Sequence, residues 1–426
     1  KRNGGVRLMA GIHVSGGTYS GSGDFTADWI QVEDSSTFYA PDGTFKLVGA
    51  GTPGGALYQL WYENNAIIYN QSGTTLFAGT SIGTSYIRDA AYNTVGREYP
   101  FYNVILDDSS NSGISQTVLP FWIENDLTVK ANRTLETMTN DSIKALGSVL
   151  ITGTASKIDT NHATAINQEF GSLHIAAGGT YDATSGTTTI NWSDSRSSIW
   201  DQRIYKNDGT MIHNSGTLIL NPDSDPVFGG GTGSGGLWNV IATEAGGNPT
   251  YRAYATPIIE NDLTVSGTLT YGNNVGGGQN HTVSGNVVIV SGASYANTGA
   301  TANTQNFGSL IVNSYSTFIA SPAGQTNING PHSGGYLWRS NAGTFTHNNG
   351  LVYINTGAYN GSDVFPAPTQ PFYNLTYSGS GTVESWSSII ANNFDVGTDV
   401  IFRPIIPTEA FTVSGTATMN GFFGKD

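Results

Sequence analysis

The chain contains no cysteine, which excludes a disulfide framework and any thiolate metal site. Charge is also scarce: 11% of the 426 residues are charged, against about a quarter in ordinary proteins. What charge there is sums to −14, the wrong sign for neutralising phosphates, so nucleic acid is not an expected partner. No apolar run approaches the roughly 18 residues of a membrane helix, and membrane insertion is not expected. No signal peptide is visible. The chain opens on Lys1-Arg2 rather than Met, which reads as a processed or excerpted sequence. Helical periodicity is nearly absent, and only Leu135 to Leu146 offers a turn or two of helix.

What is present is glycine, at 56 residues, together with 11% aromatic and 38% hydrophobic residues spread evenly through polar text. Disorder requires low hydrophobicity with high net charge, so this composition belongs to a folded chain. The apolar residues fall in short alternating runs such as Thr217-Leu218-Ile219-Leu220 and Leu351-Val352-Tyr353-Ile354. Gly, Asn, Asp and Ser clusters bound them, which is the pattern of β-strands joined by tight turns.

These runs repeat over a long period. Phe101-Tyr102-Asn103-Val104-Ile105 returns as Leu237-Trp238-Asn239-Val240-Ile241 and as Phe372-Tyr373-Asn374-Leu375-Thr376. Ile123-Glu124-Asn125-Asp126-Leu127-Thr128-Val129 returns as Ile259-Glu260-Asn261-Asp262-Leu263-Thr264-Val265 and more loosely as Ile390 to Val396. An aromatic follows Thr at Phe38, Tyr181 and Phe318, and an apolar-Trp pair ends at Trp61, Trp200 and Trp338. Further copies are a Ser/Thr-Gly rung at Ser15, Thr152 and Ser291, and an Asn turn at Asn70, Asn214 and Asn348. Ordered landmarks in three copies give periods of about 135 to 140 residues, approximately 1–147, 148–285 and 286–426.

Such a repeat fits an all-β chain built as a right-handed parallel β-helix, one elongated repetitive body over 1–426 with coils of about 20 to 25 residues. The alternative is three tandem β-sandwich domains, which requires linkers at fixed places. No boundary of that kind recurs. The phrases "THNNGLVYINTG", "FYNLTYSGSGTV" and "ENDLTVSGTLT" resemble the repeats of parallel β-helix surface proteins, namely bacteriophage tail fibres and spikes and bacterial adhesin-like exoproteins. The resemblance implies structural work in an extracellular, cell-surface or virion setting.

Candidate sites follow from strand geometry. Successive side chains face opposite ways, so in the aromatic-Asn phrase one apolar residue points inward and Tyr102, Trp238 and Tyr373 point outward. There they cover the surface or stack on a sugar ring. Asn tolerates a left-handed turn and caps backbone groups. Asp107 with Asp108, and Asp223 with Asp225, bring hard oxygen ligands together, as calcium requires. Neither matches a calcium-loop motif, and no other cofactor is expected. Glu124, Asp126, Glu260 and Asp262 recur with the repeat, which favours turn chemistry over a catalytic pair. Gly79 to Gly83 matches G-x-S-x-G, a chance-level match in this composition. Seven histidines without HExxH give no zinc constellation, and turn or surface histidines are the better reading.

The segment Thr412 to Gly421 aligns with Thr282 to Gly292, so the last phrases return to the phase of the first. No capping repeat is evident, and stacking on further coils or head-to-tail on another copy is the expected outcome. The functional expectation is a non-enzymatic fibre or filament segment. A glycan- or receptor-binding module is the alternative, and a polysaccharide-degrading spike a weaker one.

Overall fold

Alternating apolar residues become the inner wall of a coil when each strand pairs in parallel with its equivalent one coil later. The computed structural model shows this arrangement: among the described residues all regular structure is β, without a helix, as a parallel β-solenoid. It describes residues 6–7, 11–49, 58–63, 66–78, 83–89, 101–107, 113–118, 121–138, 141–191, 203–223, 227–229, 232–243, 250–253, 258–271, 280–298, 302–330, 335–357, 360–365, 370–405 and 410–424. The chain packs as two compact units, Lys1–Thr217 with Gly231–Gly235, and Leu218–Gly230 with Gly236–Asp426.

In the first unit, Val104, Leu127, Val149, Leu173 and Tyr205 stand in successive register, and so do Leu106, Val129, Ile151 and Ile175. In the second, Val240, Leu263, Val287, Leu310 and Trp338 make the matching column, beside Ala242, Val265, Ile289 and Val312. All these side chains are buried, and each Leu, Ile, Val or Phe contributes roughly 1.5–3 kcal/mol on leaving water. Aromatic rings reinforce the columns, as where Phe318 stacks on Phe345 with centroids 5.8 Å apart and planes at 10°. Phe38, Tyr181 and Phe318, the aromatics that follow Thr, are all inward and buried.

The coils are less even than the expected 20 to 25 residues. Coil-to-coil hydrogen bonds join residues 19 apart at Asn374 and Asn393, 23 apart at Asn103 and Asp126, and 31 apart at Ala183 and Asn214. A solenoid fixes the strands and leaves the length of the corners free.

Two expectations need correction. Among its described residues the stretch Leu135 to Leu146 holds no helix; it spans parts of the strands Arg133–Thr137 and Ile143–Ile151, and within it burial alternates with the period of two that strands require. The recurring apolar-Trp pairs at Trp61 and Trp338 are not equivalent in space either. Leu310 pairs with Trp338 and Leu173 pairs with Tyr205, so the equivalent of Trp338 in the first unit is Tyr205. Ile30 pairs with Leu60, which places Leu60 inward and turns Trp61 out, half-buried. Trp200 lies outside the described residues.

Tight corners join the strands. At several of them a residue with positive φ precedes a residue whose N–H closes the turn: Ser35 before Ser36, Asn132 before Arg133, Ala155 before Ser156, and Tyr315 before Ser316. Ser36, Ser156 and Ser316 are buried there, and the hydroxyls of Ser156 and Ser316 donate to the Gly153 and Asn313 carbonyls at 2.8 and 2.6 Å.

Candidate functional site

The repeated phrases meet one another in space. Asn103 Oδ1 accepts from Asn125 Nδ2 at 2.9 Å and from the Asp126 N–H at 3.3 Å, one coil on. Asn239 Oδ1 accepts from Asn261 Nδ2 at 2.8 Å and from the Asp262 N–H at 3.3 Å. Asn374 Oδ1 accepts from Asn393 Nδ2 at 2.8 Å. The second layer then receives a third: Asp126 Oδ1 accepts from the Ser148 N–H at 2.7 Å, Asp262 Oδ1 from the Asn286 N–H at 2.8 Å, and Asn393 Oδ1 from the Thr416 N–H at 2.9 Å. One residue before each of these donors stands a glycine. A Cβ on Gly147, Gly285 or Gly415 would press on the carboxylate or amide oxygen below it, closer than the 3.0 Å that real Cβ atoms keep.

The recurrence of Asp126 and Asp262 therefore has a structural explanation, a ladder of side-chain oxygens holding successive backbones. Asn103, Asn239 and Asn374 serve in it as acceptors. None has the positive φ of a left-handed turn. Glu124 accepts from Asn70 Nδ2 at 2.9 Å.

The outward aromatics sit beside this ladder. Phe101, Leu237 and Phe372 are buried, and Tyr102, Trp238 and Tyr373 after them are on the outer wall, where Tyr102 and Tyr373 are half-buried. The Tyr373 ring stacks on His347 of the preceding coil, centroids 5.5 Å apart. His347 belongs to a second repeated device. Its Nδ1 accepts the Asn349 N–H at 2.8 Å, as His213 Nδ1 accepts the Ser215 N–H at 2.9 Å. In both turns the next residue, Asn348 or Asn214, has positive φ and sends its Nδ2 to the Ala320 or Ala183 carbonyl. Partial burial holds His347 below the ordinary histidine range, which agrees with an unprotonated Nδ1. His213 and His347 are thus turn histidines, whereas His174 and His281 stand on strands and are buried, against the expectation of turn or surface positions.

Of the calcium candidates, Asp107 pairs with Lys130 Nζ at 2.7 Å and Asp223 is exposed. Asp108 and Asp225 lie outside the described residues, as do Gly79 to Ile82 of the G-x-S-x-G match. Among the described residues no group of three or more carboxylates or histidines is gathered tightly enough to hold a metal ion.

Stacking also makes polar clusters that spacing does not show. Glu136, Asp159 and Asp182 are register partners on three coils, and Lys157 Nζ bridges Asp159 and Asp182 at 2.7 and 2.8 Å. Burial pulls Lys157 down, yet the bonds to the two carboxylates outweigh it and hold the ammonium above its usual range. A second cluster joins His174 Nε2 and Lys206 Nζ to Asp208 Oδ2, at 3.2 and 2.7 Å. Burial lowers His174 despite its bond to Asp208. Inside the coil, His281 Nδ1 meets the Tyr295 hydroxyl at 2.8 Å, Gln305 Nε2 donates to that hydroxyl at 3.3 Å, and the Thr326 hydroxyl donates to Gln305 Oε1 at 3.0 Å.

One surface residue stands apart from the ladders. Tyr315 is 87% exposed and holds φ 61° at a corner where other coils place Ser35, Asn132, Ala155 or Gly292. Comparison with known proteins gives no relative: no family model, no curated protein and no solved structure matches the chain.

Proposed function

We propose that this chain is a non-enzymatic structural segment of a fibre or filament displayed on a virion or cell surface, with copies associating end to end. The observation that carries the reading is the threefold ladder. The phrases that recur most faithfully, aromatic-Asn and Glu-Asn-Asp, are used in bonding one coil to the next, through Asn103 to Asp126, Asn239 to Asp262 and Asn374 to Asn393. Recurrent chemistry of that kind supports a scaffold, since a reaction site needs a unique arrangement. The surface setting rests on the resemblance of the repeat text to fibre and adhesin-like proteins. Sedimentation over a range of concentrations, with negative-stain images, tests it. Association growing with concentration and visible filaments are expected; discrete single copies at all concentrations would contradict the reading.

Tyr315 favours a second reading, a glycan- or receptor-binding module. A large ring held in water on a left-handed backbone is costly in both respects, and stacking on a sugar face is a use that repays exposure. The outward rings of Tyr102, Trp238 and Tyr373 are further candidates for stacking, each taken by itself. Glycan-array binding that Tyr315→Ala removes would support it, and an array without signal would count against it.

A further inference from the structure

In the first unit, strand alternation brings two tyrosines to one outer face. Thr37–Tyr39 and Ile67–Tyr69 pair in parallel, with Thr37 on Ile67, Phe38 on Ile68 and Tyr39 on Tyr69. Phe38 and Ile68 turn inward and are buried, so Tyr39 and Tyr69 point outward. Their rings stack with centroids 4.9 Å apart and planes at 18°. That separation is the spacing of neighbouring strands, about 4.8 Å, so the rings follow the backbone register and lie one over the other.

The stack is both held and reachable. Backbone bonds clamp the two strands on either side of it: the Ile67 N–H donates to the Ser36 carbonyl and the Ala40 N–H to the Tyr69 carbonyl, each at 2.8 Å. Below the pair, the register partner of Tyr39 is Ser20, which is short and exposed. Tyr69 is 47% exposed and Tyr39 is half-buried, so a reagent in water meets both rings. Other stacked tyrosines have different partners. Tyr19 lies on Phe38 and Tyr373 on His347, rings that carry no second phenol. Since the chain has no cysteine, a covalent tie between these coils has to come from other side chains, and two facing phenols can supply one.

We propose that Tyr39 and Tyr69 form an oxidative cross-linking site, joined Cε to Cε by a one-electron oxidant of the peroxidase class acting with hydrogen peroxide. Each phenol gives up one electron and its proton. The two phenoxyl radicals then form the carbon–carbon bond, and the hydrogen on each bonded Cε passes through solvent to the oxygen of its own ring, which restores both phenols. One peroxide takes up the two electrons and two protons and leaves as two waters. Held a strand spacing apart, each ring offers the other an effective concentration that a freely diffusing tyrosine does not reach. Coupling within the stack therefore outruns coupling between copies. The tie joins one coil to the next inside a single copy, so it stands whether or not copies associate.

The test treats the full chain, kept dilute, with a haem peroxidase and rising hydrogen peroxide. The monomer fraction is then cut with trypsin, which separates the two tyrosines at Lys46, and read by mass spectrometry. Tyr315, 87% exposed, is the internal gauge: its oxidation shows that the reagent has acted. The expected product is a joined peptide pair carrying Tyr39 and Tyr69, two hydrogens lighter than the sum of its parts. Tyr39→Phe and Tyr69→Phe keep the stacked ring and remove the phenol, so each should fold like the parent and give none of this product. Chain unfolded in urea, compared at equal oxidation of Tyr315, should give at least tenfold less. Oxidation of Tyr315 without a link between Tyr39 and Tyr69 would overturn the inference. So would a link that forms equally well in urea, since the coil would then play no part in bringing the rings together.

Discussion

At the scale of single residues, the glycines under the oxygen ladder make the strongest demand. Gly285→Ala would push a methyl group against Asp262 Oδ1 and the Asn261 carbonyl, in a backbone fixed on both sides. Overpacking of this kind costs about 1–3 kcal/mol. The denaturation midpoint should fall accordingly, while Gly330→Ala, which meets nothing within 4 Å, should leave it almost unchanged. Equal effects would show that the ladder is not a tight contact. Tyr315 gives the opposite sign. Its φ of 61° suits glycine, and its ring is 87% exposed, so Tyr315→Gly should stabilise by about 1 kcal/mol through relief of the left-handed backbone. A loss of stability would mean that the ring makes contacts worth more than the strain.

Some of this is legible in the amino-acid order alone. Strand alternation places Phe101 in and Tyr102 out, and the recurrence of Asp126 and Asp262 marks them as belonging to the repeat. What the alternation cannot give is the partner. That Asn103 holds Asp126 follows only when the coil between them is known to close after 23 residues. Lys157 between Asp159 and Asp182 is hidden for the same reason, as is His174 beside Asp208, 34 residues on.

At the scale of the element, the strand His281–Ile289 carries a titratable group into the core. His281, on His281–Ile289, lies wholly inside the coil, bonded to Tyr295 on the neighbouring Ser294–Asn297. Burial pushes its pKa down from 6.5 to about 3. The folded value is below the unfolded one, so its contribution is fully present above about pH 6.5 and is lost as the pH falls from there toward 3. Within that window the unfolded chain binds a proton that the folded chain refuses, a slope of about 1.4 kcal/mol per pH unit. Unfolding free energies from pH 7 to 4 should fall more steeply for the parent than for His281→Gln, by that one-proton slope. Parallel curves would place His281 in water.

Element boundaries are also where sequence reasoning fails. Leu135 to Leu146 has spacing that a helix tolerates, but Leu135 and Ala145 face the core on separate strands of successive segments. Apolar-Trp pairs at Trp61 and Trp338 look equivalent as text. They differ in where the register slips: between Tyr336 and Trp338 in one strand, which leaves both Leu337 and Trp338 buried, and at Gln59 in the other, which leaves Gln59 and Leu60 buried and turns Trp61 outward.

At the scale of the whole molecule, the account depends on parallel stacking of coils rather than on closed sandwiches. A sandwich pairs neighbouring strands antiparallel, through short hairpins; the solenoid sets residues about two dozen positions apart side by side. Because the chain has no cysteine of its own, an introduced pair reports on one contact without background. Thr264 and Val288 are register partners on the outer wall, at the separation a disulfide bridges. Thr264→Cys with Val288→Cys should oxidise readily to an intramolecular cross-link, read by mass spectrometry, while Thr264→Cys with Val290→Cys, two residues out of register, should remain reduced. Cross-linking of neither pair, or of both equally, would contradict the stacked-coil structure on which the fold, the ladder and the proposed function all stand.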